Sequence, residues 1–125
     1  MDNVGVVFPG QGSQYVGMGR DIFLLFREGR ETFEEASDAL GFDMGVPCLE
    51  GPREKLDLTV HTQTTILTVG LAAYRVLKSR TGVAPAVLAG HSLGEYGALC
   101  AAGAIDFSDA LRLVQIRGTL QQEAV

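Results

Sequence analysis

The stretch that decides the fold lies at residues 84–105 and reads APAVLAGHSLGEYGALCAAGAI. It begins with a short apolar run at residues 86–89 and continues, over residues 92–102, with small and helix-forming side chains. This order predicts a buried strand that turns directly into a helix. One hydroxyl group, that of Ser92, lies in the turn between them, and its role is the main functional question that the sequence raises.

The turn itself, GHSLG at residues 90–94, matches the pattern G-x-S-x-G. In that pattern a sharp strand-to-helix turn, which leaves no room for Cβ atoms at the two glycine positions, lifts a nucleophilic serine above a parallel sheet. The N–H of Leu93, at the start of the helix, is a natural oxyanion donor, worth about 3–4 kcal/mol of transition-state stabilisation. The alternative is that Ser92 only caps the helix, with Glu95 completing a partial capping box.

A nucleophilic serine needs a base to accept its proton, and the chain offers two histidines for that role. His91 is adjacent to Ser92, and because a turn of this kind points neighbouring side chains in different directions, we expect it to pack around the site without acting as the base. His61 precedes a threonine-rich helical segment, and we expect a surface histidine or one whose hydrogen bonds are satisfied. The sequence therefore supplies no convincing base.

A glycine-rich loop, PGQGSQYVGMG at residues 9–19, follows another short apolar run at residues 4–8. Neither phosphate-binding pattern is complete there, because Tyr15 occupies the third glycine position of G-x-G-x-x-G and Met18 replaces the lysine of a phosphate loop. The loop instead follows the carboxyl end of a predicted parallel strand, where α/β sheets place their sites. Because glycines flank Gln11, its amide could approach a substrate closely. The alternative is that the glycines are present only because the turn needs residues with positive φ.

Helical spacing of apolar residues predicts four further helices, at residues 20–30, 32–40, 62–78 and 108–122. Gly41 is placed to end the second of them and Thr62 to cap the third. Strands that alternate with helices are typical of a parallel α/β sheet. Because two strands cannot complete such a sheet, we expect a piece of a larger α/β domain.

One side of the last predicted helix carries an arginine among apolar residues. Five residues share that side by their spacing: Ala110, Leu113, Val114, Arg117 and Leu120. Arg112 lies off this side, as expected for a solvated arginine. An inward guanidinium needs an anionic partner, and its planar fork suits a carboxylate. The spacing leaves open whether that partner belongs to the protein or to a substrate.

Composition fits one folded domain and excludes several classes of function. The chain has 125 residues, of which 46% are hydrophobic and 20% charged. A net charge of −5 with scattered cations argues against nucleic acid as a partner. The two cysteines, Cys48 and Cys100, form neither a disulfide framework nor a metal-binding pattern. With no signal peptide and no apolar segment long enough to span a membrane, we expect a cytoplasmic protein without membrane contact.

Three segments together resemble the malonyl-CoA:acyl carrier protein transacylases of fatty acid synthesis and the related acyltransferase domains of polyketide synthases. They are VFPGQGSQYVGMG at residues 7–19, GHSLGEYGALCAAGAIDFSDALRLV at residues 90–114 and RGTLQQEAV at residues 117–125. The resemblance extends over essentially the whole chain but covers only the N-terminal part of such an enzyme. It implies that residues 1–125 are the N-terminal portion of an α/β-hydrolase-like catalytic domain, whose remaining strands and ferredoxin-like subdomain are not in this chain.

The resemblance also implies a role for each candidate residue. Ser92 is the acylated nucleophile, the backbone of Gln11 and Leu93 forms the oxyanion hole, and Arg117 binds the malonyl carboxylate. Malonyl-CoA is the expected donor and the phosphopantetheine thiol of an acyl carrier protein the expected acceptor. No metal and no cofactor is expected, because the coenzyme A thioester is itself the substrate.

Two departures from the family pattern leave alternatives open. The catalytic histidine of the family and its orienting partner would follow residue 125, so an inactive fragment is one alternative. Gln63 lies in the sequence Thr62-Gln63-Thr64, where family members often have a proline in the third position, and it is not included among the predicted site residues. The remaining alternatives are an acyltransferase piece of a polyketide synthase and a serine hydrolase of the α/β-hydrolase class, which shares the G-x-S-x-G turn.

Overall fold

The computed structural model describes residues 3–124, so the two ends of the predicted domain at residues 1–125 lie outside it. Two strands, β1 (Gly5–Phe8) and β2 (Val87–Gly90), pair in parallel. Their register places Gly5 opposite Val87 and Phe8 opposite Gly90. The predicted α/β class with a parallel sheet is confirmed at this level.

Six α-helices and one π-helical turn complete the described part of the chain. The helices are α1 (Arg20–Leu25), α2 (Arg27–Leu40), α3 (Arg53–Leu56), α4 (Thr59–Thr81), α5 (Gly94–Ala101) and α6 (Phe107–Glu123), and the π-helical turn is Val46–Glu50. The long helix α4 packs against α2, α5 and α6, and α5 packs against both strands. None of the helices within residues 3–124 is both long and apolar enough to cross a membrane.

The predicted helix at residues 20–30 is in fact divided at Phe26. The backbone of Phe26 is extended, with φ −127° and ψ 129°, so α1 ends before it and α2 begins after it. The break brings Gly29 directly onto Ile22, where a Cβ atom at Gly29 would lie only 2.2 Å from the Ile22 carbonyl oxygen. This close approach is a matter of tertiary packing, and helical spacing alone does not reveal it. The other end of α2 was predicted correctly, since Gly41 has φ 78° and donates its N–H to the Ser37 carbonyl over 2.8 Å.

Thr62 does not cap α4, because the helix begins three residues earlier and Leu58 occupies the capping position. The Thr62 hydroxyl instead lies inside the helix and donates to the carbonyls of Leu56 and Leu58. Thr62 thus connects the start of α4 to the last residue of α3. Thr68, further along, instead bonds to the Thr64 carbonyl of its own helix, so its hydroxyl group is satisfied within α4.

The hydrophobic core of the described residues lies mainly among the helices, with Phe8 as its one buried strand residue, and only one face of the sheet is covered. Phe8 of β1 is buried against α4 and α5, whereas Val7 and Val87, on the other face, are 74% and 62% exposed. No element within the described residues covers that second face. The open face agrees with the expectation that two strands form only part of a larger sheet.

Candidate active site

The turn after β2 holds Ser92 in a backbone conformation that residues other than glycine rarely adopt, with φ 54°. Both flanking glycines are sterically required. A Cβ atom at Gly94 would lie 2.1 Å from the carbonyl oxygen of Phe8, and one at Gly90 would lie 2.1 Å from the carbonyl carbon of Gly94. The glycines of the G-x-S-x-G pattern therefore allow β1, the turn and α5 to approach one another closely around Ser92.

Ser92 does not act as a helix cap. The capping position of α5 is Leu93, and no side chain caps this helix. The Ser92 Oγ is exposed and accepts a hydrogen bond from Nη2 of Arg117 over 2.9 Å. The alternative in which Ser92 caps the helix with help from Glu95 is therefore wrong.

The guanidinium of Arg117 is held by neutral groups. Its Nη1 donates to Oε1 of Gln63 over 2.7 Å, and its central carbon lies 6.0 Å from the centre of the Tyr96 ring. No carboxylate of residues 3–124 lies within ion-pairing distance of it, whereas Arg112 pairs with Asp109 at 3.3 Å. The structure thus provides no protein carboxylate for Arg117 in the described part of the chain, and it confirms Arg112 as a solvated arginine.

The buried face of α6 differs from the predicted one. Leu113 and Leu120, which were expected to face inward with Arg117, are 49% and 59% exposed. The buried residues are Phe107, Ala110, Leu111, Val114 and Gly118. The physical reason is that α6 packs closely on α4 at Gly118, where a Cβ atom would lie 3.0 Å from the Thr59 carbonyl oxygen. Arg117 consequently lies at the edge of the buried face, from which its long side chain reaches Ser92.

Gln63, which was not among the predicted site residues, is the residue that joins α4 to Arg117. Its side chain is fully buried, its Oε1 accepts from Arg117, and its Nε2 donates to Oε1 of Gln121. The signal that points to it is physical: an amide within a buried helical segment needs hydrogen-bond partners for both its ends.

The two predicted oxyanion donors lie on segments that run side by side. A Cβ atom at Gly10, the neighbour of Gln11, would lie 2.5 Å from the carbonyl oxygen of His91, so the glycine-rich loop contacts the turn that carries Ser92. The backbone N–H groups of Gln11 and Leu93 donate no hydrogen bond to any residue that the structure describes. Neither group therefore has an acceptor within the described residues, although Leu93 itself is buried.

Neither histidine forms a hydrogen bond with Ser92 within the described residues. His91 is exposed, and its Nδ1 lies 3.0 Å from the position of a Cβ at Gly10. The His61 ring meets Phe42 edge-on at 5.5 Å, and its Nδ1 is shielded from solvent without a partner among residues 3–124. The expected surface or satisfied histidine is therefore not found at position 61. Burial, reinforced by the charge of Lys55, lowers the pKa of His61.

The cysteines offer no second nucleophile. The Cys48 thiol is buried, donates to the Met18 carbonyl over 3.0 Å, and has its pKa raised to about 12 by burial. Burial also raises the pKa of the partly exposed Cys100 thiol, to about 11. Within residues 3–124, no three side chains from histidine, cysteine, aspartate and glutamate are arranged to hold a metal ion.

Comparison with known proteins establishes the class of this protein. Residues 6–125 match the acyl transferase domain family, and the chain belongs to that family. Over all 125 residues it is 53% identical to the malonyl CoA-acyl carrier protein transacylase of Escherichia coli strain K12. The chain spans 40% of the length of that relative.

Solved structures agree with the sequence relationship. The structure of the malonyl CoA-acyl carrier protein transacylase from Coxiella burnetii superimposes with a TM-score of 0.96 at 46% identity, covering 98% of this chain and 39% of that one. A malonyl-transacylase solved in complex with a type II PKS acyl-carrier protein matches with a TM-score of 0.94 at 49% identity, covering 99% of this chain and 40% of that one. The arrangement of β1, β2 and the helices is therefore that of the corresponding part of these enzymes.

Proposed function

We propose that this chain carries the nucleophile and the carboxylate-binding residue of a malonyltransferase that transfers a malonyl group from malonyl-CoA to the phosphopantetheine thiol of an acyl carrier protein. The observation that carries the proposal is the 2.9 Å contact between the Ser92 hydroxyl and a guanidinium that has no carboxylate partner among the described residues. A malonyl group presents a thioester carbonyl and a free carboxylate a few bonds apart. The serine and the arginine suit these two groups.

In the proposed reaction, Oγ of Ser92 attacks the thioester carbonyl carbon. The tetrahedral intermediate then expels coenzyme A as the C–S bond breaks, and malonyl-Ser92 remains. The strained turn at Ser92 and its two required glycines support a hydrolase-like nucleophile elbow, which exposes Oγ at the end of a parallel strand. In the second half-reaction the carrier thiol attacks the same carbonyl and Ser92 leaves with its oxygen reprotonated.

The free N–H groups of Gln11 and Leu93 support an oxyanion hole for both tetrahedral intermediates. Arg117 is proposed to pair with the malonyl carboxylate through charge-assisted hydrogen bonds, which the fork of a guanidinium can make bidentate. His91 is proposed to pack around the site and not to transfer the proton. The resemblance places the base that accepts the Ser92 proton in the part of the family domain that this chain does not span.

The proposal requires no redox cofactor, because acyl transfer from a thioester changes no oxidation state. It assigns stabilisation of the oxyanion to backbone N–H groups and therefore calls for no metal. A serine hydrolase of the α/β-hydrolase class would use water as the acceptor and would have no need of a guanidinium beside the nucleophile. The position of Arg117 therefore favours a transferase for substrates that bear a carboxylate.

The test compares the 125-residue chain with a fusion in which it replaces the aligned region of the Escherichia coli relative. Both proteins are exposed to malonyl-CoA, and intact-mass and peptide analysis locate any malonyl adduct. We expect an adduct on Ser92 of the fusion, its transfer to holo acyl carrier protein, and no adduct in a Ser92→Ala variant. An adduct in the fusion but not in the chain alone identifies the fragment as inactive by itself. Release of free malonate without carrier loading supports the hydrolase, and the absence of any Ser92 adduct overturns the proposed function.

A further inference from the structure

We propose that Gln121 is a positioning residue, which acts through Gln63 to hold Arg117 and thereby sets the preference of the site for acyl groups with a free carboxylate. This inference rests on the proposed function and extends it to a residue that does not touch Ser92. Gln121 lies on α6 one turn beyond Arg117, and Gln63 of α4 bonds to both of them. The three side chains form one continuous hydrogen-bonded connection that ends at the nucleophile.

Both ends of the Gln63 side-chain amide have a hydrogen-bond partner within the protein. Its side chain is 0% exposed, so neither the oxygen nor the nitrogen can turn to bulk water. Oε1 accepts from Nη1 of Arg117 over 2.7 Å, and Nε2 donates to Oε1 of Gln121. An amide has one accepting end and one donating end, and each end here meets a group of the opposite kind.

Gln121 reinforces the orientation of the Gln63 amide that Arg117 requires. Arg117 can only donate, so a rotated Gln63 amide would set N–H groups against N–H groups at the guanidinium. The exposed Gln121 presents an oxygen to Nε2 and stabilises the orientation that Arg117 requires. A side chain at 121 that can only donate would favour the rotated amide, and an apolar one would leave a buried N–H without a partner.

The orientation of Gln63 in turn determines where Arg117 presents its charge. Nη1 is anchored on Gln63, which leaves Nη2 directed at Ser92 Oγ. Because the anchor is neutral, the positive charge of the guanidinium stays available to a substrate carboxylate. A bidentate pair with that carboxylate needs the guanidinium plane to be fixed, whereas an acetyl group makes no use of it.

The experiment uses the fusion protein and four variants. Gln121→Met removes the acceptor, Gln121→Lys replaces it with a donor, and Gln121→Glu retains an acceptor oxygen. The matched control is Gln122→Met: Gln122 is the adjacent glutamine on α6 and also contacts α4, but it accepts from the Val60 backbone N–H over 3.4 Å and does not touch Gln63. The kcat and KM for Ser92 acylation are measured with malonyl-CoA and with acetyl-CoA, together with the Tm of each variant.

We expect Gln121→Met to raise the KM for malonyl-CoA about tenfold, the effect of losing one buried hydrogen bond. Gln121→Lys raises it further. Gln121→Glu also raises it, because the new carboxylate lies one helical turn from Arg117 and competes with the substrate for the guanidinium. Gln122→Met leaves it unchanged. Acetyl-CoA kinetics stay the same throughout. Equal losses for malonyl-CoA and acetyl-CoA in Gln121→Met would show a merely structural role, and unchanged malonyl-CoA kinetics in both Gln121→Met and Gln121→Lys would overturn the inference.

A second measurement does not depend on activity. The Gln63 side-chain amide protons, assigned with a Gln63→Met variant, are followed by NMR hydrogen exchange. We expect slow exchange in the unsubstituted protein and in Gln122→Met, and faster exchange in Gln121→Met. If the unsubstituted fusion forms no Ser92 adduct, the proposed function fails, but the exchange rates still test the hydrogen bonds that join Gln121, Gln63 and Arg117. Equal exchange rates of the Gln63 amide protons in Gln121→Met and Gln122→Met would overturn those hydrogen bonds.

Discussion

Nη2 of Arg117 donates a hydrogen bond to Oγ of Ser92 over 2.9 Å, and this contact joins α6 to the turn after β2. The bond engages a lone pair of the oxygen that is proposed to attack the substrate. A carboxylate that draws the guanidinium toward itself frees that lone pair. The carboxylate of a malonyl group would then both bind to Arg117 and release the nucleophile.

Removal of Arg117 should increase the reactivity of Ser92 toward neutral reagents. In the fusion protein we expect Arg117→Ala to be modified faster than the unsubstituted protein by an uncharged fluorophosphonate, because Oγ loses the donor that engages it. Added malonate should accelerate modification of the unsubstituted protein and leave Arg117→Ala unaffected. The rates are measured by intact-mass spectrometry. Arg112→Ala, which removes an exposed arginine from the same helix, is the control and should behave like the unsubstituted protein. Slower modification of Arg117→Ala would contradict the expectation.

Arg117→Ala should also abolish the preference for malonyl over acetyl groups. A charge-assisted hydrogen bond contributes about 1.5–3 kcal/mol, so we expect kcat/KM for malonyl-CoA to fall about 10- to 150-fold. Acylation by acetyl-CoA should persist, because an acetyl group has no carboxylate to lose. Steady-state kinetics with both thioesters provide the measurement, with Arg112→Ala again as the control. An equal fall in kcat/KM for malonyl-CoA and acetyl-CoA would contradict the assignment of Arg117 as the residue that binds the malonyl carboxylate.

Gly94→Ala should destabilise the fold strongly, since the new Cβ would lie 2.1 Å from the backbone oxygen of Phe8. Backbone cannot yield as a flexible side chain can, and forced overpacking costs about 1–3 kcal/mol or more. Gly5→Ala is the matched control in β1, because its Cβ would lie an ordinary 3.9 Å from the Val87 carbonyl oxygen. The free energy of unfolding of both variants is measured by urea denaturation of the chain. Equal stability of the two variants would show that β1 and α5 do not approach as closely as described.

Both cysteine thiols should be nearly inert toward disulfide reagents in the native chain. Their pKa values, raised by burial to about 12 for Cys48 and about 11 for Cys100, leave at most about one thiol in a thousand ionised near pH 8. We expect slow reaction with 5,5′-dithiobis(2-nitrobenzoate) in buffer and rapid reaction of both thiols in guanidinium chloride. Cys100→Ser separates the two contributions. Rapid native reaction of the Cys100→Ser variant would contradict the burial of Cys48.

His61 should make the fold less stable in mild acid. Its pKa in the folded chain is lowered below the ordinary value of 6.5, first by burial and then by Lys55. As the pH falls below 6.5, the unfolded chain binds a proton that the folded chain still resists, so the free energy of unfolding decreases until the pH has passed the lowered pKa. Urea denaturation at about pH 7.5 and about pH 5.5 should show a smaller decrease for His61→Gln than for the unsubstituted chain. An identical decrease in both proteins would remove His61 as the cause.

Much of the region around Ser92 could be predicted because its constraints are local. A strand, a sharp turn and a helix occupy consecutive residues, and Gly90 and Gly94 are readable in the sequence as positions without room for a Cβ. Gly41 was predictable for the same reason, since a helix that ends in a left-handed residue selects glycine. The break at Phe26 was not predictable, because helical spacing does not reveal the close packing of Gly29 of α2 on Ile22 of α1 that accompanies it.

The residues that hold Arg117 could not be derived from spacing. Gln63 is separated from Arg117 by 54 positions and from Gln121 by 58, and no local pattern records that α4 and α6 bring them together. The family resemblance implied a role for Arg117 but gave no reason to include Gln63, whose neighbours depart from the family pattern. The buried amide required partners, but the sequence did not identify them.

By itself, the sequence determined the parallel α/β class, the strand-to-helix turn at Ser92 and the membership of a family, because all three depend on the order of neighbouring residues. The tertiary structure decided which face of α6 is buried and that Arg117, bonded to Gln63 through Nη1, contacts Ser92 through Nη2. Those outcomes follow from the close approach of α6 to α4 at Gly118, where a Cβ atom would lie 3.0 Å from the Thr59 carbonyl oxygen and only glycine fits without displacing the backbone. Helix periodicity specifies which residues share a face, and packing between helices specifies which face turns inward.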